Sequence, residues 1–231
     1  CPGMANRALR LLQASRSGLS EAELVELLGV TRLCWSRFRL ALGDLLASRR
    51  GLLCFANESF REAVASLNEE AEKVSAHREL ADYFASGPPL ERRLQEYGHQ
   101  LAAGAQWTRL EQALTDLRFL QEMWQADPAE VLKLWGILND SAGLNLPRAY
   151  AHVLDDPQSL TGYQETLYEL LRESGYTAEA AQIALAAASP DNGDPEAPRR
   201  LALIGVSYLD RNDPAEAMPI LEKAARRIGE M

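Results

Sequence analysis

The stretch that decides the fold is LALIGVSYLDRNDPAEAMPILEKA, residues 201–224. It has the periodicity of two amphipathic helices joined by a short polar turn. Large side chains surround Gly205 in the first helix, and the small residues Ala217 and Ala224 flank Leu221 in the second. Small side chains let two helices approach closely, and large ones fill the gaps beside them. The stretch therefore predicts an αα-hairpin.

The preceding segment repeats this alternation of large and small side chains. Its members are Leu167, Tyr168, Leu171, Ala180, Ala184 and Ala187. Ala180 and Ala217 lie 37 positions apart, which is the tetratricopeptide (TPR) period of about 34 residues plus three. The loop Ser189–Pro195 can hold the extra residues. Residues 161–231 are therefore predicted to form TPR-like repeats that bind a protein partner.

One stripe of the last hairpin's first helix occupies the positions that line the concave groove of TPR-like repeats. These partner-binding candidates are Arg199, Ala202, Val206, Leu209 and Asp210. Such grooves form because successive repeats stack into an extended curved surface.

The N-terminal segment shows a different order of elements. A short helix over Ala5–Ala14 precedes a second helix that opens with the capping box Ser20-Glu21-Ala22-Glu23. A third helix is expected over Leu33–Ser48, and Arg50–Asn57 contains the best strand candidate. Three short helices followed by a hairpin are typical of a winged helix. A long helix is expected to follow over Ser59–Phe84.

The sequence thus predicts an all-α chain with a winged-helix-like N-terminal unit and a right-handed superhelix of TPR-like αα-hairpins. The proline pair in Gly87-Pro88-Pro89 predicts the clearest domain boundary, because it disfavours helix. We expect a winged-helix-like unit with a long C-terminal helix over residues 4–86, a helical hairpin linker over 90–160, and TPR-like repeats over 161–231.

Residues 5–120 resemble the region that follows the nucleotide-binding domain in NACHT-type (STAND) signal-transduction ATPases, such as the nephrocystin and telomerase-associated protein families. The matching stretches are ASRSGLSEAEL (residues 14–24), GLLCFANESFREAV (51–64) and LTDLRFL (114–120). In these proteins a winged helix packs on the ATPase core, and helical repeats follow it. The resemblance implies a regulatory scaffold whose NTPase domain lies outside this chain, in a longer parent.

Two departures from the family pattern bear on function. The chain contains no G-x-x-x-x-G-K-S/T phosphate loop, so the residues that bind and hydrolyse ATP are absent. Many such winged helices carry a nucleotide-sensing His in an F-x-H segment, and the matching position here is Asn57. An amide can donate a hydrogen bond to phosphate but cannot carry charge. Asn57 is thus a nucleotide-contact candidate, with capping of the following helix as the alternative.

Charge is unevenly distributed along the chain. Residues 1–50 carry eight arginines against four acids, whereas residues 87–231 carry thirteen basic and twenty-two acidic side chains. Arg32, Arg37 and Arg39 lie on or next to the predicted third helix, where a DNA-reading winged helix keeps its recognition residues. They suit either DNA or an acidic neighbouring domain. The acidic remainder would repel a phosphate backbone, so nucleic acid is the less favoured partner.

No catalytic constellation is present in the sequence. His77, His99 and His152 lack a metal-binding spacing, and the three cysteines are odd in number without a CxxC pair. We therefore expect no enzyme activity, no metal and no cofactor. The sequence has no membrane-length apolar run and no signal-peptide layout, and its unpaired cysteines suit a reducing compartment, so we expect a cytoplasmic location.

These features favour a non-catalytic regulatory module that relays partner or ligand sensing by its repeats to an ATPase core. The alternative is a winged-helix DNA-binding transcription regulator in which the repeats sense a signal.

Overall fold

The computed structural model describes residues 3–154, 160, 162–186 and 197–229. Over this part the chain is all-α in class, with fifteen α-helices and one two-stranded sheet. It forms two compact units, residues 1–110 and 111–231. No helix in the described ranges is both long and apolar enough to span a membrane.

The first unit contains six helices, a 3-10 turn and the β-hairpin. In chain order these are α1 (Met4–Ala14), α2 (Glu21–Leu28), α3 (Arg32–Leu42), the 3-10 turn Gly43–Leu45, β1 (Leu46–Arg49), β2 (Leu52–Phe55), α4 (Glu58–Ser66), α5 (Glu70–Ser86) and α6 (Leu90–Ala103). Helix α1 is central, because it packs against α2, α4, α5 and β2 and buries Ala8, Leu11 and Leu12.

The predicted capping box is confirmed. Ser20 accepts a hydrogen bond from the Glu23 amide at 3.1 Å, and the Glu23 carboxylate accepts one from the Ser20 amide at 2.6 Å. Two amides that the first turn leaves without helical partners are thereby satisfied. Helix α2 then ends at Gly29 in the left-handed conformation.

The prediction of one helix over Leu33–Ser48 was wrong at its C-terminal end. Helix α3 stops at Leu42, and Gly43 follows as its cap with a φ of +50°. The chain then enters β1, which pairs antiparallel with β2 in the register Leu46↔Phe55 to Arg49↔Leu52. Arg50 and Gly51 both have positive φ, which suits a two-residue hairpin turn. The strand prediction therefore captured only the second half of the hairpin.

The hairpin is tied to the α1–α2 connection by one isolated antiparallel bridge. The Leu19 amide donates to the Leu53 carbonyl at 3.1 Å, and the Leu53 amide donates back at 2.8 Å. Gly18 makes this approach possible, because a Cβ at that position would lie 2.5 Å from the Leu53 carbonyl oxygen. Both leucines are buried.

The predicted single helix over Ser59–Phe84 is two helices in the structure, α4 and α5. The Asn68 side chain donates to the Val64 carbonyl at 2.8 Å, which satisfies a carbonyl at the end of α4. Glu69 and Glu72 then form a capping box that starts α5. Helices α5 and α6 pack as an antiparallel hairpin across Gly87-Pro88-Pro89. The proline pair, where the pattern predicted a domain boundary, therefore lies inside the first unit.

Helix α7 (Trp107–Thr115) contains the division between the units, and eight helices follow it. They are α8 (Leu117–Ala126), α9 (Pro128–Ala142), α10 (Leu146–Ala149), α11 (Ala151–Leu154), α12 (Gln164–Glu173), α13 (Thr177–Ala186), α14 (Ala197–Asp210) and α15 (Pro214–Gly229). Asp127 caps α9 by accepting from the Glu130 amide at 3.2 Å, with Pro128 in the first turn. Pairs α12–α13 and α14–α15 pack as hairpins, and α13 packs against α14. The predicted loop Ser189–Pro195 and Ala187 lie outside the described residues.

Candidate functional site

Helix α3 lies largely open to solvent in the first unit. Thr31 caps it by accepting from the Cys34 amide at 3.3 Å, and Trp35 is its one buried side chain. Its outer surface carries two leucines, Leu33 at 65% and Leu40 at 80% exposure. We call Arg32, Leu33, Ser36, Arg37 and Leu40, all exposed, the α3 face. The sequence reasoning singled out its arginines and missed its leucines.

The three arginines of α3 differ in their contacts. Arg32 and Arg37 are exposed and make no hydrogen bond or ion pair within the described part of the chain. Arg39 instead donates to the Gly43 carbonyl at 2.9 Å and to the Leu46 carbonyl at 3.2 Å. It therefore holds the end of α3 against the start of β1. Arg32 and Arg37 remain free to bind a partner.

Asn57 lies at the start of α4 and caps it. Its side-chain oxygen accepts a hydrogen bond from the Phe60 amide at 2.8 Å. It also lines a cavity of about 490 Å³, which we call the Asn57 cavity. Arg16, Arg49 and Arg61 are the cationic residues of its lining. Asn57 thus has the capping role that was its alternative interpretation, and its amide also borders a basic cavity.

The arginines of the Asn57 cavity differ in their pairing. Arg61 forms a close ion pair with Glu58, and this hydrogen bond lowers the pKa of the Glu58 carboxyl below its usual range. Arg49, at the end of β1, is exposed. Because Glu58 also lines the cavity, its charge partly offsets that of the arginines.

The partner-binding candidates of α14 lie along one stripe of that helix. Arg199 forms an ion pair with Glu165 of α12, with one hydrogen bond of 2.9 Å. Ala202 and Val206 are half-buried, whereas Leu209 and Asp210 are exposed. The stripe therefore starts beside α12 and ends in one apolar and one acidic side chain, Leu209 and Asp210, that are open to solvent.

The hairpin α14–α15 is packed as the alternation of small and large residues predicts. A Cβ at Gly205 would lie 2.5 Å from Cδ2 of Leu221, so only glycine fits there without moving that side chain. Ala217 is fully buried and Ala224 is 2% exposed. In the hairpin α12–α13, Ala180 and Ala184 are likewise buried. Small residues at these positions therefore set the helix separation.

The two hairpins differ at one equivalent position. Ala181, which follows Ala180 in α13, is 2% exposed, and α14 packs on that helix. Met218, 37 positions later in α15, is 52% exposed. Helix α15 therefore exposes a large apolar side chain, Met218, at the position where α13 has a small buried residue, Ala181.

A buried polar cluster in the first unit escaped the sequence reasoning. Glu96 of α6 is fully buried, and its carboxylate accepts from the amides of Arg16 at 3.0 Å and Ser17 at 2.8 Å. Gln100, also fully buried, donates to Glu96 at 2.8 Å and to the Ala14 carbonyl at 2.9 Å. We call these groups the Glu96 cluster. It fixes the end of α1 and the rim of the Asn57 cavity.

Two further groups extend the Glu96 cluster. Arg92 donates to Glu23 at 2.8 Å and to the Gly18 carbonyl at 2.8 Å, and it lies 3.8 Å from Glu96. His77 of α5 donates through Nδ1 to the side-chain oxygen Oε1 of Gln100 at 2.7 Å. The α5–α6 hairpin is therefore joined by polar contacts to the α1–α2 connection.

The remaining candidates for chemistry stay apart. Within the described ranges, no three His, Cys, Asp or Glu residues lie together as a metal site. His77 and His99 stack edge to face at 6.0 Å, and His152 is exposed in the second unit. Cys34 and Cys54 are half-buried and form no disulfide.

Comparison with known proteins gives one similarity. The chain is 25% identical over 162 residues to a TPR repeat-containing protein of Dictyostelium discoideum. The aligned region is 67% of this chain and 10% of that protein, so the chain spans about a tenth of the relative's length. No family model matches the chain, and no solved structure matches it. The similarity and the all-helical fold support a TPR-like region.

Proposed function

We propose that this chain is a non-catalytic regulatory and protein-interaction module of a NACHT-type (STAND) signalling protein. In this proposal the first unit is a winged helix, and the TPR-like repeats of the second unit form a right-handed superhelix that binds a protein partner in the cytoplasm. The module relays partner sensing to an ATPase core that lies outside this chain.

One observation carries the proposal. The two stretches with the most specific resemblance to NACHT-type proteins, residues 14–24 and 51–64, are joined by the Leu19–Leu53 bridge. Both contribute to the lining of the Asn57 cavity, the first through Ser15 to Gly18 and the second through Cys54 to Glu58. Segments distant in sequence therefore build one surface. A shared surface is what a winged helix in contact with a nucleotide-binding core requires.

The order of elements in the first unit supports the winged helix. Helices α1 to α3 precede the hairpin, and Leu19 extends the hairpin by pairing with Leu53 between the first two helices. The close-packed small residues of α14–α15 and the similarity to a TPR repeat-containing protein support the repeats. Repeats of this kind present extended concave surfaces to protein partners.

The relay rests on a difference in affinity between two states. A partner that binds the open arrangement of the parent protein better than the closed one shifts the population toward the open form. In this scheme the free arginines and leucines of the α3 face contact the ATPase core, and α14 contacts the partner. Asn57 borders the nucleotide in the closed form.

The first test is the source gene. We expect sequencing upstream of residue 1 to reveal, in frame, an ATPase domain with a phosphate loop. In the full-length parent, Arg37→Glu should accelerate release of a fluorescent ADP analogue several-fold. Arg118→Glu, an exposed site in the second unit, is the matched control. An upstream stop codon, or equal release from both variants, would refute the proposal.

A transcription regulator is the second candidate, because the free side chains Arg32 and Arg37 lie where a recognition helix would meet DNA. Leu33 and Leu40 on the same face lack the donors that read base edges. We expect no binding of a fluorescein-labelled 20-bp duplex at low salt. Binding that falls steeply with salt and is lost in Arg37→Ala would favour this candidate instead.

A further inference from the structure

Helix α9 contains a glycine that the fold does not explain. Gly136 lies in the interior of α9, where glycine costs about 1 kcal/mol relative to alanine. Its φ is not positive, and no atom lies within 4 Å of a Cβ added there, apart from its two chain neighbours and the backbone of its own helix. Neither the backbone conformation nor the packing of the helix therefore requires a residue without a side chain at position 136. Such a position leaves room for something outside the fold to approach the backbone.

The space above Gly136 is a cavity of about 320 Å³, which we call the Gly136 cavity. Leu132, Gly136 and Asn139 form one stripe of α9 along its floor, and Leu144, Glu173 and Tyr176 contribute walls. The volume lies in the range of about 300–1,000 Å³ that is usual for ligand sites. Leu132, Leu144 and Tyr176 are half-buried, so each leaves part of its apolar surface open.

The polar groups of the lining favour a cationic donor. Glu173 pairs with Arg172 through one carboxylate oxygen, and its other oxygen has no partner among the described residues. The Asn139 side-chain amide nitrogen donates to Asp140 at 3.2 Å, and its side-chain oxygen accepts no hydrogen bond from the described residues. The second unit as a whole carries ten basic and twenty acidic side chains. A basic group is therefore attracted both locally and over a longer range.

We propose that the Gly136 cavity is a peptide-binding site that takes an apolar side chain next to a Lys or Arg of a partner protein. The apolar side chain lies over Gly136 between Leu132 and Leu144, and the neighbouring cation bonds to Glu173 and Asn139. Gly136, Asn139 and Glu173 are exposed, so a chain can run along α9 while one side chain enters. This site deepens the proposed function, on which it rests, by naming the chemistry of a partner.

The test is an array of immobilised decapeptides in which two adjacent central positions run through all pairs of amino acids. We expect the purified chain to retain peptides whose pair joins Leu, Ile, Met or Phe to Lys or Arg. Gly136→Leu places a large side chain in the cavity, and leucine is well tolerated inside a helix. It should lower this retention at least tenfold. Gly136→Ala, which removes the glycine but leaves most of the space, should retain binding within about threefold.

Glu173→Gln separates charge from packing, because it should weaken the preference for basic over acidic neighbours while the apolar preference remains. An array with no apolar–basic preference would overturn the proposal. The same pattern on Gly136→Leu would also overturn it, since binding would then lie elsewhere. Circular dichroism checks that every variant is folded. Failure here leaves the gene-context and ADP-release tests of the proposed function unaffected, so the two can fail separately.

Discussion

Replacement of Glu96 by alanine should destabilise the first unit by about 3–5 kcal/mol. The fully buried carboxylate accepts hydrogen bonds from the backbone amides of Arg16 and Ser17 and from the side-chain amide of Gln100, at 2.8–3.0 Å. A donor left without an acceptor costs roughly 1–3 kcal/mol where it is buried, as the Gln100 amide is, and less where water can reach it. The total loss of stability stays below the sum of the losses at the three donors, because water can enter the space left by the side chain.

Urea denaturation followed by circular dichroism measures this effect. With a slope of about 2 kcal/mol per molar urea, the loss corresponds to a midpoint shift of roughly 2 M. Glu91→Ala, an exposed glutamate in the same helix, is the matched control and should change stability by less than about 0.5 kcal/mol. The loss of stability in Glu96→Gln should fall between those of Glu96→Ala and Glu91→Ala, since the glutamine side chain keeps one acceptor oxygen. If Glu96→Ala shifts stability by no more than Glu91→Ala, the carboxylate does not organise the α1–α2 connection.

Substitutions at Arg39, Gly205 and Tyr168 should each change the stability of the protein in a distinct way. Arg39→Ala should lower the free energy of unfolding by about 1–2 kcal/mol because two hydrogen bonds are lost, whereas Arg37→Ala should change it by less than about 0.5 kcal/mol in the same urea titration. Gly205→Leu should overpack the α14–α15 hairpin and cost about 1–3 kcal/mol or more; an unchanged melting temperature would contradict this. Burial raises the pKa of Tyr168 to about 12, so its contribution to stability is complete below pH 10 and is lost as pH rises toward 12. Tyr168→Phe should flatten that decline, and equal slopes for both proteins would refute the assignment.

Local rules predicted much of the fold. The Ser20–Glu23 box and the small-residue pattern around Gly205 each depend on near neighbours in sequence, and the structure shows both. The ends of α3 and α4 were missed for a common reason. Apolar spacing runs on through Gly43 and Asn68, whereas pairing of β1 with β2 and capping at Glu69 decide where the helices stop.

The site was predictable only in part. The arginines of α3 stood out by charge, but the exposure of Leu33 and Leu40 depends on which side of the helix the unit covers. Glu96 gave no signal at all, because a glutamate in a polar helix is normally solvated. Its burial follows from the docking of α6 beside the end of α1, a long-range contact that no local pattern encodes.

The difference between Ala181 and Met218 bears on any attempt to build a repeat array by copying the hairpin α14–α15. The hairpin α12–α13 carries the small residue that a covering helix demands, whereas α14–α15 carries a long, flexible thioether at that position. A duplicated α14 placed against α15 would meet the long Met218 side chain where the equivalent position of α13 has a buried alanine. Substitution of Met218 by alanine is thus the first change to make in an engineered array, ahead of any adjustment to the connecting loop.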